Sequence, residues 1–311
     1  YAATAVLSSA IGVTSAVWQV GVLRTGAWVT RGLRSPARDA LLADVVPPGA
    51  YGRAYGFERA LDNLGAIVGP LLALALVATV GVRTAILLSI VPGLLAALAM
   101  LAAVRAAPRL REHDRQPLRL RIRPVLRGRL GRLLVGISAF ELGNAAATLL
   151  ILRATELLTP GRGHDAAVQV ALLLYVAYNL AATLASVPAG RATDRRGGAR
   201  VLVAGAAVFL AAYAGFAFAG PAIVPLALFF ALAGVGIGLA ETAERAAVAA
   251  LAPAGLRGSA FGALAAVQAF GNLAASAVAG ALWTLVSPRA AFLYLAAWML
   301  VSVGALAFAR R

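Results

Sequence analysis

The sequence contains no cysteine, no lysine and only two histidines. The absence of cysteine excludes disulfide bonds, thiolate zinc sites and a cysteine nucleophile from this chain. His113 and His164 stand far apart in short polar stretches, which excludes a metal site built on several histidines. We therefore expect this chain to bind no metal and no other cofactor.

Charged residues are scarce as well, since only 13% of the 311 residues are charged and 61% are hydrophobic. Soluble domains carry about a quarter of charged residues. The low charge therefore argues against a soluble globular domain, and the apolar content excludes a disordered chain. The composition is typical of a protein that lies largely in lipid.

The charge that is present is strongly basic, with a net value of +16. A nucleic-acid-binding protein spreads its basic residues over a solvated face with interleaved aromatic side chains. Here ten arginines lie between Arg105 and Arg132, and most of the others occupy short gaps between apolar segments. This placement indicates membrane topology, so we expect contact with membrane lipid and not with nucleic acid.

Roughly ten apolar segments approach the 20 or so residues that a bilayer-spanning helix needs. They are 1–16, 18–43, 55–79, 83–104, 133–157, 167–187, 200–219, 222–243, 259–285 and 289–308. When the gaps are numbered alternately, one set carries eighteen arginines and the other three. Because positive charge is retained on the cytoplasmic side, the sequence predicts an all-α polytopic protein of the plasma (bacterial inner) membrane with both visible ends in the cytoplasm.

The stretch 105–132 is the one long polar segment of the chain. Its three prolines oppose a continuous helix, and its arginines favour a position near anionic lipid. We interpret it as a basic cytoplasmic linker between an N-terminal helix bundle, residues 1–104, and a C-terminal helix bundle, residues 133–311.

An internal repeat supports two related halves. Residues 32–76 align without gaps on residues 238–282, at a shift of 206, with fifteen of 45 positions identical. A parallel repeat of helix bundles is one design of secondary transporters. The second half begins near Leu133, so the shift predicts that the first half begins about 73 residues before Tyr1 (206 − 133 = 73). We therefore expect an N-terminally truncated chain whose parent has twelve spans.

The run from Gly190 to Arg200, GRATDRRGGAR, joins two of the apolar segments. With twelve spans in two parallel halves, it resembles the cytoplasmic signature of the major facilitator superfamily (MFS), and the visible segments correspond to helices 3–12 of that fold. The resemblance implies that the Asp194 carboxylate accepts hydrogen bonds at the start of segment 55–79, where a helix dipole favours negative charge. The residues of the run that we assign to conformational gating are Gly190, Asp194, Arg195 and Gly198.

Segment 55–79 carries Gly56, Gly65, Gly69 and Pro70 in the spacing G-x8-G-x3-G-P. This spacing resembles a motif of the family's antiporters, which implies a gating role and favours export. The residues alone are also explained by close helix packing at the glycines and a bend at the proline.

Charged residues inside a membrane cost about 2.5–3.5 kcal/mol each and need a reason. Arg24 resembles the family's arginine of proton-coupled export, and Arg31 lies on the same stripe of its helix. Asp62 and Glu141 are the candidate proton carriers, and an ion pair with an arginine is the alternative for each. The other candidates for a substrate and proton pathway are Asn144, Arg153, Tyr175, Asn179, Gln268 and Asn272.

The leading hypothesis is a secondary active transporter that works by alternating access and exports a small organic compound or drug in exchange for protons. The alternative within the fold is an importer or facilitator of a polar or anionic metabolite, bound by arginines. The alternative of another class is a membrane-embedded enzyme, for which the sequence offers neither a carboxylate cluster with a metal nor a nucleophile with a base. The expected partners are a small-molecule substrate and a coupling ion, and we expect a monomer.

Overall fold

A computed structural model describes residues 1–106 and 122–309. Every regular element in these two ranges is helical, so the all-α prediction is confirmed for them. The predicted linker, 105–132, falls largely on residues 107–121, which lie outside the described ranges. The α-helices are α1 Ala2–Ser9, α2 Val17–Val45, α3 Tyr51–Leu88, α4 Ile90–Ala106, α5 Ile122–Val125, α6 Gly128–Gly143, α7 Thr148–Arg162, α8 His164–Arg196, α9 Gly198–Ala217, α10 Ile223–Leu251, α11 Arg257–Leu285 and α12 Pro288–Ala309.

Seven helical stretches of the described chain are long and apolar enough to cross a membrane. One of them, Pro48–Ala106, has 59 residues, far more than one crossing needs. Gly81, with φ 78° and ψ 165°, interrupts it between the predicted spans 55–79 and 83–104. The first two predicted spans are not among the seven, because Ala2–Val13 is short and α2 carries several charges.

The span Gly128–Arg162 is broken in its middle, which the sequence did not predict. Helix α6 ends at Gly143 and α7 begins at Thr148. The freed backbone groups find partners on α11, because the Ala146 N–H donates to Ser276 Oγ at 3.0 Å and the Asn144 carbonyl accepts from Asn272 Nδ2 at 2.7 Å. A break in a membrane helix is tolerated where neighbouring side chains satisfy the backbone in this way.

The described residues group into two compact units. One contains residues 1–46 and 68–106, and the other contains residues 47–67 and 122–309. The core of the second unit is an aromatic cluster of Phe140, Phe209, Tyr213, Phe216 and Phe292, whose neighbouring ring centroids lie 5.2–6.1 Å apart. The division into bundles at 1–104 and 133–311 stays a prediction.

The internal repeat is reproduced element by element. Helix α2 and helix α10 each have 29 residues, and their bounds differ by 206 at both ends. Short 3₁₀ turns follow at Pro48–Ala50 and Ala254–Leu256, and α3 and α11 then begin at Tyr51 and Arg257, again at a shift of 206. The shared glycine and proline pattern thus encodes one helix–turn–helix unit used twice.

Candidate functional site

Asp194, near the end of α8, caps the first turn of α3. Its Oδ1 accepts from the Gly52 N–H at 2.6 Å, and its Oδ2 accepts from the Arg53 N–H at 3.1 Å and from Arg53 Nε at 3.0 Å. Backbone N–H groups at a helix start lack partners within the helix, and the helix dipole favours a carboxylate there. The contact that the resemblance implied for Asp194 is therefore present, while its gating role stays a prediction.

Glycines permit the close approach of α3 to α8. A Cβ built on Gly190 would collide with the Gly52 carbonyl and lie 3.2 Å from Arg53 Cα. A Cβ on Gly56 would lie 2.5 Å from the Ser186 carbonyl oxygen. Two of the predicted gating glycines, Gly56 and Gly190, thus lie where the two backbones touch.

The other predicted gating residues have different surroundings. A Cβ on Gly198 would meet the Ala247 Cβ at 2.6 Å, so this glycine lets α9 approach α10. In the described part of the chain, no atom lies within 4 Å of a Cβ added to Gly65 or Gly69, and their gating role stays a prediction. Pro70 lies inside α3, and Arg195 is exposed.

Arg59 organises an ion-pair cluster between α3 and α10. Its buried guanidinium lies 2.6 Å from Glu58 Oε1, 2.8 Å from Asp62 Oδ2 and 3.1 Å from Glu241 Oε2. Asp62 is half exposed, whereas Arg59 is almost fully buried. The predicted proton carrier Asp62 is thus an ion-pair partner, and the arginine lies three residues earlier on its own helix.

The first turns of α3 and α11 meet through residues that are equivalent in the repeat. Arg257 Nη2 donates to the Tyr51 hydroxyl at 2.7 Å, and the Tyr55 and Phe261 ring centroids lie 5.9 Å apart. Both pairs have a sequence separation of 206. The starts of the two repeated helices therefore contact each other through equivalent positions.

Glu141 lies deeper in the second unit, just before the break that separates α6 from α7. It is 3% exposed, and its Oε2 accepts from Asn144 Nδ2 at 2.9 Å. Asn272 of α11 donates in turn to the Asn144 carbonyl. Gly271 packs directly on Glu141, since an added Cβ would lie 2.5 Å from the Glu141 Cβ. The structure therefore brings together three of the predicted pathway residues, Glu141, Asn144 and Asn272.

Gln268, one turn before Gly271 on α11, binds a carboxylate of α10. Its Nε2 donates to Glu244 Oε2 at 2.8 Å. Glu244 is fully buried, and its other oxygen, Oε1, is buried with no hydrogen-bond partner among the described residues. Helix α11 thus connects Glu244 with the Glu141 group.

The remaining candidates of the second unit stay apart from this cluster. The Tyr175 ring stacks on Tyr178 with centroids 5.7 Å apart, and the buried Asn179 donates to the Tyr175 carbonyl of its own helix. Arg153 is partly buried, and within the described part of the chain its Nε is buried with no hydrogen-bond partner. Glu156, one turn later, accepts from Trp283 Nε1 at 3.0 Å.

Arg24 and Arg31 belong to the first unit. Both side chains are exposed, and both line a cavity of about 500 Å³. Thr4, Ser8 and Trp28 contribute to the same cavity. Arginines at a membrane cavity suit an anionic group, because a guanidinium offers several donors and a fixed positive charge.

Sequence reasoning overlooked two residues of this site. Arg59 was not distinguished from its neighbours, although its spacing to Asp62, three residues on, predicts contact on one helix face. Glu244 was not among the candidate residues taken from the sequence. Its complete burial against α11 depends on tertiary packing, for which no local signal exists in the sequence.

The comparisons with known proteins agree with this architecture. The sequence profile of the Major Facilitator Superfamily matches residues 1–159 and, separately, residues 151–311. An uncharacterized MFS-type transporter of Methanocaldococcus jannaschii is 32% identical over 267 residues, which are 85% of this chain and 65% of that protein. An uncharacterized protein of Mycobacterium tuberculosis is 30% identical over 120 residues, 38% of this chain and 29% of that protein. The chain thus spans less than two thirds of the length of these relatives.

Solved structures share the fold at low sequence identity. The human organic anion transporter MFSD10 superposes with a TM-score of 0.75 at 17% identity, covering 98% of this chain and 74% of that protein. The Escherichia coli fucose:proton symporter superposes with a TM-score of 0.70 at 16% identity, covering 100% of this chain and 82% of that protein. The family profile covers the whole chain in two matches, so the chain belongs to the major facilitator superfamily.

Proposed function

We propose that the protein is a secondary active transporter that exports a small organic compound or drug in exchange for protons. One observation carries this proposal. The Arg59 guanidinium is shared between carboxylates of its own helix, Glu58 and Asp62, and Glu241 of α10. Because Asp62 is half exposed, its carboxylate can take up a proton without separation of α3 from α10.

Protonation of Asp62 changes the balance of this cluster. A neutral Asp62 no longer holds Arg59 by charge, which leaves Glu58 and Glu241 as its ionic partners. The strength of the ionic contact between α3 and α10 then differs between the two protonation states, as alternating access requires. Asp194 and the glycine contacts around Gly190 supply a second breakable connection, from α3 to α8. Glu141, buried beside the helix break, is the second proton carrier of the proposal.

The proposed transporter spans the membrane with a defined orientation. Eighteen arginines in one set of gaps favour a cytoplasmic position for both visible chain ends in a bacterial inner membrane. The protein works as a monomer surrounded by lipid, and its small-molecule substrate binds at a midplane cavity. Membership of a transporter family favours this activity over the membrane-enzyme alternative.

The experiment uses the full-length protein in inside-out vesicles with an acid interior. Lipophilic cations, drugs, sugars and organic anions are added in turn while dissipation of the pH gradient is followed. We expect one compound class to dissipate the gradient, and the response to be lost in Asp62→Asn and in Glu141→Gln. Glu156→Gln is the matched control, since Glu156 belongs to the same broken span as Glu141 but binds Trp283. Proton-coupled transport that survives in both Asp62→Asn and Glu141→Gln would overturn the mechanism.

A second candidate function has its own observation. The unpartnered Nε of Arg153 and the cavity lined by Arg24 and Arg31 favour an anionic metabolite as substrate. The same vesicles test import or facilitated passage of such a compound. Uptake of an organic anion that needs no pH gradient and is lost in Arg31→Ala would replace export by this alternative.

A further inference from the structure

Two buried carboxylates of the second unit are both influenced by the charge of Arg245. Glu141 of α6 and Glu244 of α10 are 3% and 0% exposed. Among the described residues, Arg245 is the one cation whose charge acts on both of them. Arg245 Nη1 also lies 3.8 Å from Glu241 Oε2 and donates to the Glu241 carbonyl. The charge of Arg245 is therefore shared with a third carboxylate. Two ionised carboxylates here would leave negative charge in a dry site, which is costly.

The hydrogen bonds of Glu244 fit a neutral carboxylic acid. Its Oε2 accepts from the Gln268 amide, as a carbonyl oxygen does. Its Oε1 is buried and unpartnered, which is far cheaper for a hydroxyl than for an anionic oxygen. An ionised carboxylate would require donors at both oxygens.

Helix α11 bridges the two carboxylates. Gln268 binds Glu244, Gly271 packs on the Glu141 side chain one turn later, and Asn272 reaches the Asn144 carbonyl. Asn144 completes the connection by donating to Glu141. The break between α6 and α7 makes this possible, because it turns the Asn144 carbonyl away from its own helix and towards α11.

We propose that Glu244 is a proton-binding site that holds its proton while Glu141 is ionised, and that α11 bridges the two carboxylates. The proposal rests on the proposed function, since this proton is one that transport moves. A proton fits better than Na⁺, because the Glu141 and Glu244 Oε2 atoms and the Asn144 carbonyl already accept hydrogen bonds. A sodium ion would need several of these oxygens as ligands at once, whereas a proton needs only Oε1 of Glu244.

Three other charged or titratable groups interact directly with the pair, namely Tyr213 of α9 and Glu241 and Arg245 of α10. Arg59 of α3 and Tyr178 of α8 interact with Glu241 in turn. Helix α11 contributes amides but no titratable side chain at this point. A variant of Glu244 therefore has to be compared with variants of its neighbours.

The test is infrared spectroscopy of the full-length protein in lipid films, without substrate. A protonated carboxyl group gives a carbonyl-stretch band that ionised carboxylates lack. We expect such a band at neutral pH in the wild type and in Glu156→Gln, and its loss in Glu244→Gln. In Glu141→Gln the band changes frequency but persists, because Glu244 keeps its proton and loses a charged neighbour.

A second variant protects the test against misfolding of Glu244→Gln. Gln268→Leu keeps both carboxylates and removes the donor to Oε2, so the band should keep its intensity and shift in frequency. A band unchanged in both Glu244→Gln and Gln268→Leu would overturn the proposal. The same spectra are recorded with sodium in place of choline. If sodium abolishes the band in the wild type but has no such effect in Glu244→Gln, the site binds Na⁺, and the proposal of a proton-binding site is overturned.

The spectra separate this inference from the proposed function. The spectra need no substrate. If no compound class dissipates the pH gradient in vesicles, the proposed export is overturned, while the proton-binding site at Glu244 is still supported by its band. Conversely, if the protein exports a compound in exchange for protons but the infrared band is the same with and without Glu244, the proposed export is supported and this inference is overturned.

Discussion

At the residue scale, Asp194 uses both carboxylate oxygens on the first turn of α3. Each oxygen takes one backbone N–H, and Oδ2 also takes the exposed Arg53 side chain. The exposed ion pair is worth little, since such pairs contribute about 0–1 kcal/mol. The backbone bonds are the stronger part, because bonds to charged groups contribute about 1.5–3 kcal/mol each.

Replacing Asp194 by Asn should loosen the first turn of α3. Asn offers one neutral acceptor in place of two anionic ones, so we expect a loss of about 1–2 kcal/mol. The amides of Gly52 and Arg53 should then exchange with deuterium about 5–30 times faster, as hydrogen-exchange mass spectrometry would measure. Asp165→Asn, at the opposite end of α8, is the matched control. Equal exchange in Asp194→Asn and wild type would contradict the capping role.

Single charged residues were predicted from the sequence with mixed success. The start of α3 was predicted as the partner of Asp194, because the run GRATDRRGGAR is local and recurs in a known family. Asp62 was expected either to carry protons or to pair with an arginine that the sequence did not identify, and the structure pairs it with Arg59 of its own helix. Pairing in a cluster of alternating charges depends on which face is buried, and that is a tertiary property.

At the element scale, glycine allows α3 and α8 to approach until their backbones touch. The Gly52 and Gly190 backbones are so close that a methyl group on either would collide with the other. Such contacts between small residues are the usual means of close helix packing in membranes. A contact of this kind breaks cleanly when one helix moves, because no side chains interlock.

Gly190→Ala should therefore weaken the α3–α8 contact by about 1–3 kcal/mol, the usual cost of overpacking. We expect a state in which this contact is open to become dominant, seen as faster modification of a single cysteine introduced at Tyr55, which is fully buried beside it. Gly304→Ala is the control, since a Cβ at that helical glycine meets no atom within 4 Å. Similar modification rates in the two variants would show that the close approach is dispensable.

The repeat was predicted at the level of whole elements, and the helix break was not. A shift of 206 relates α2 to α10, the two 3₁₀ turns, and the starts of α3 and α11, because glycine and proline fix these turns locally. The break after Gly143 is not marked by a proline in the sequence. It is stabilised by Asn272 and Ser276 from another helix, so it becomes visible only when α11 is in place.

At the scale of the whole molecule, the central claim is transport by alternating access. Three groups of contacts hold the first half of α3 within the second unit: the Asp194 cap, the Arg59 cluster and the Tyr51–Arg257 pair. All three consist of polar bonds or glycine contacts around the first three turns of α3. A population shift of a few kcal/mol is enough to exchange the states of such a system.

The most direct test measures the distance between two spin labels. Because this chain has no cysteine, labels at Gly49→Cys and Arg191→Cys, both exposed, mark the start of α3 and the end of α8. We predict two distance populations in the full-length protein in lipid, with the shorter one depleted by Asp194→Asn and by the transported compound or an acidic medium. A single distance that neither the substitution, nor pH, nor any compound class alters would contradict alternating access in this protein.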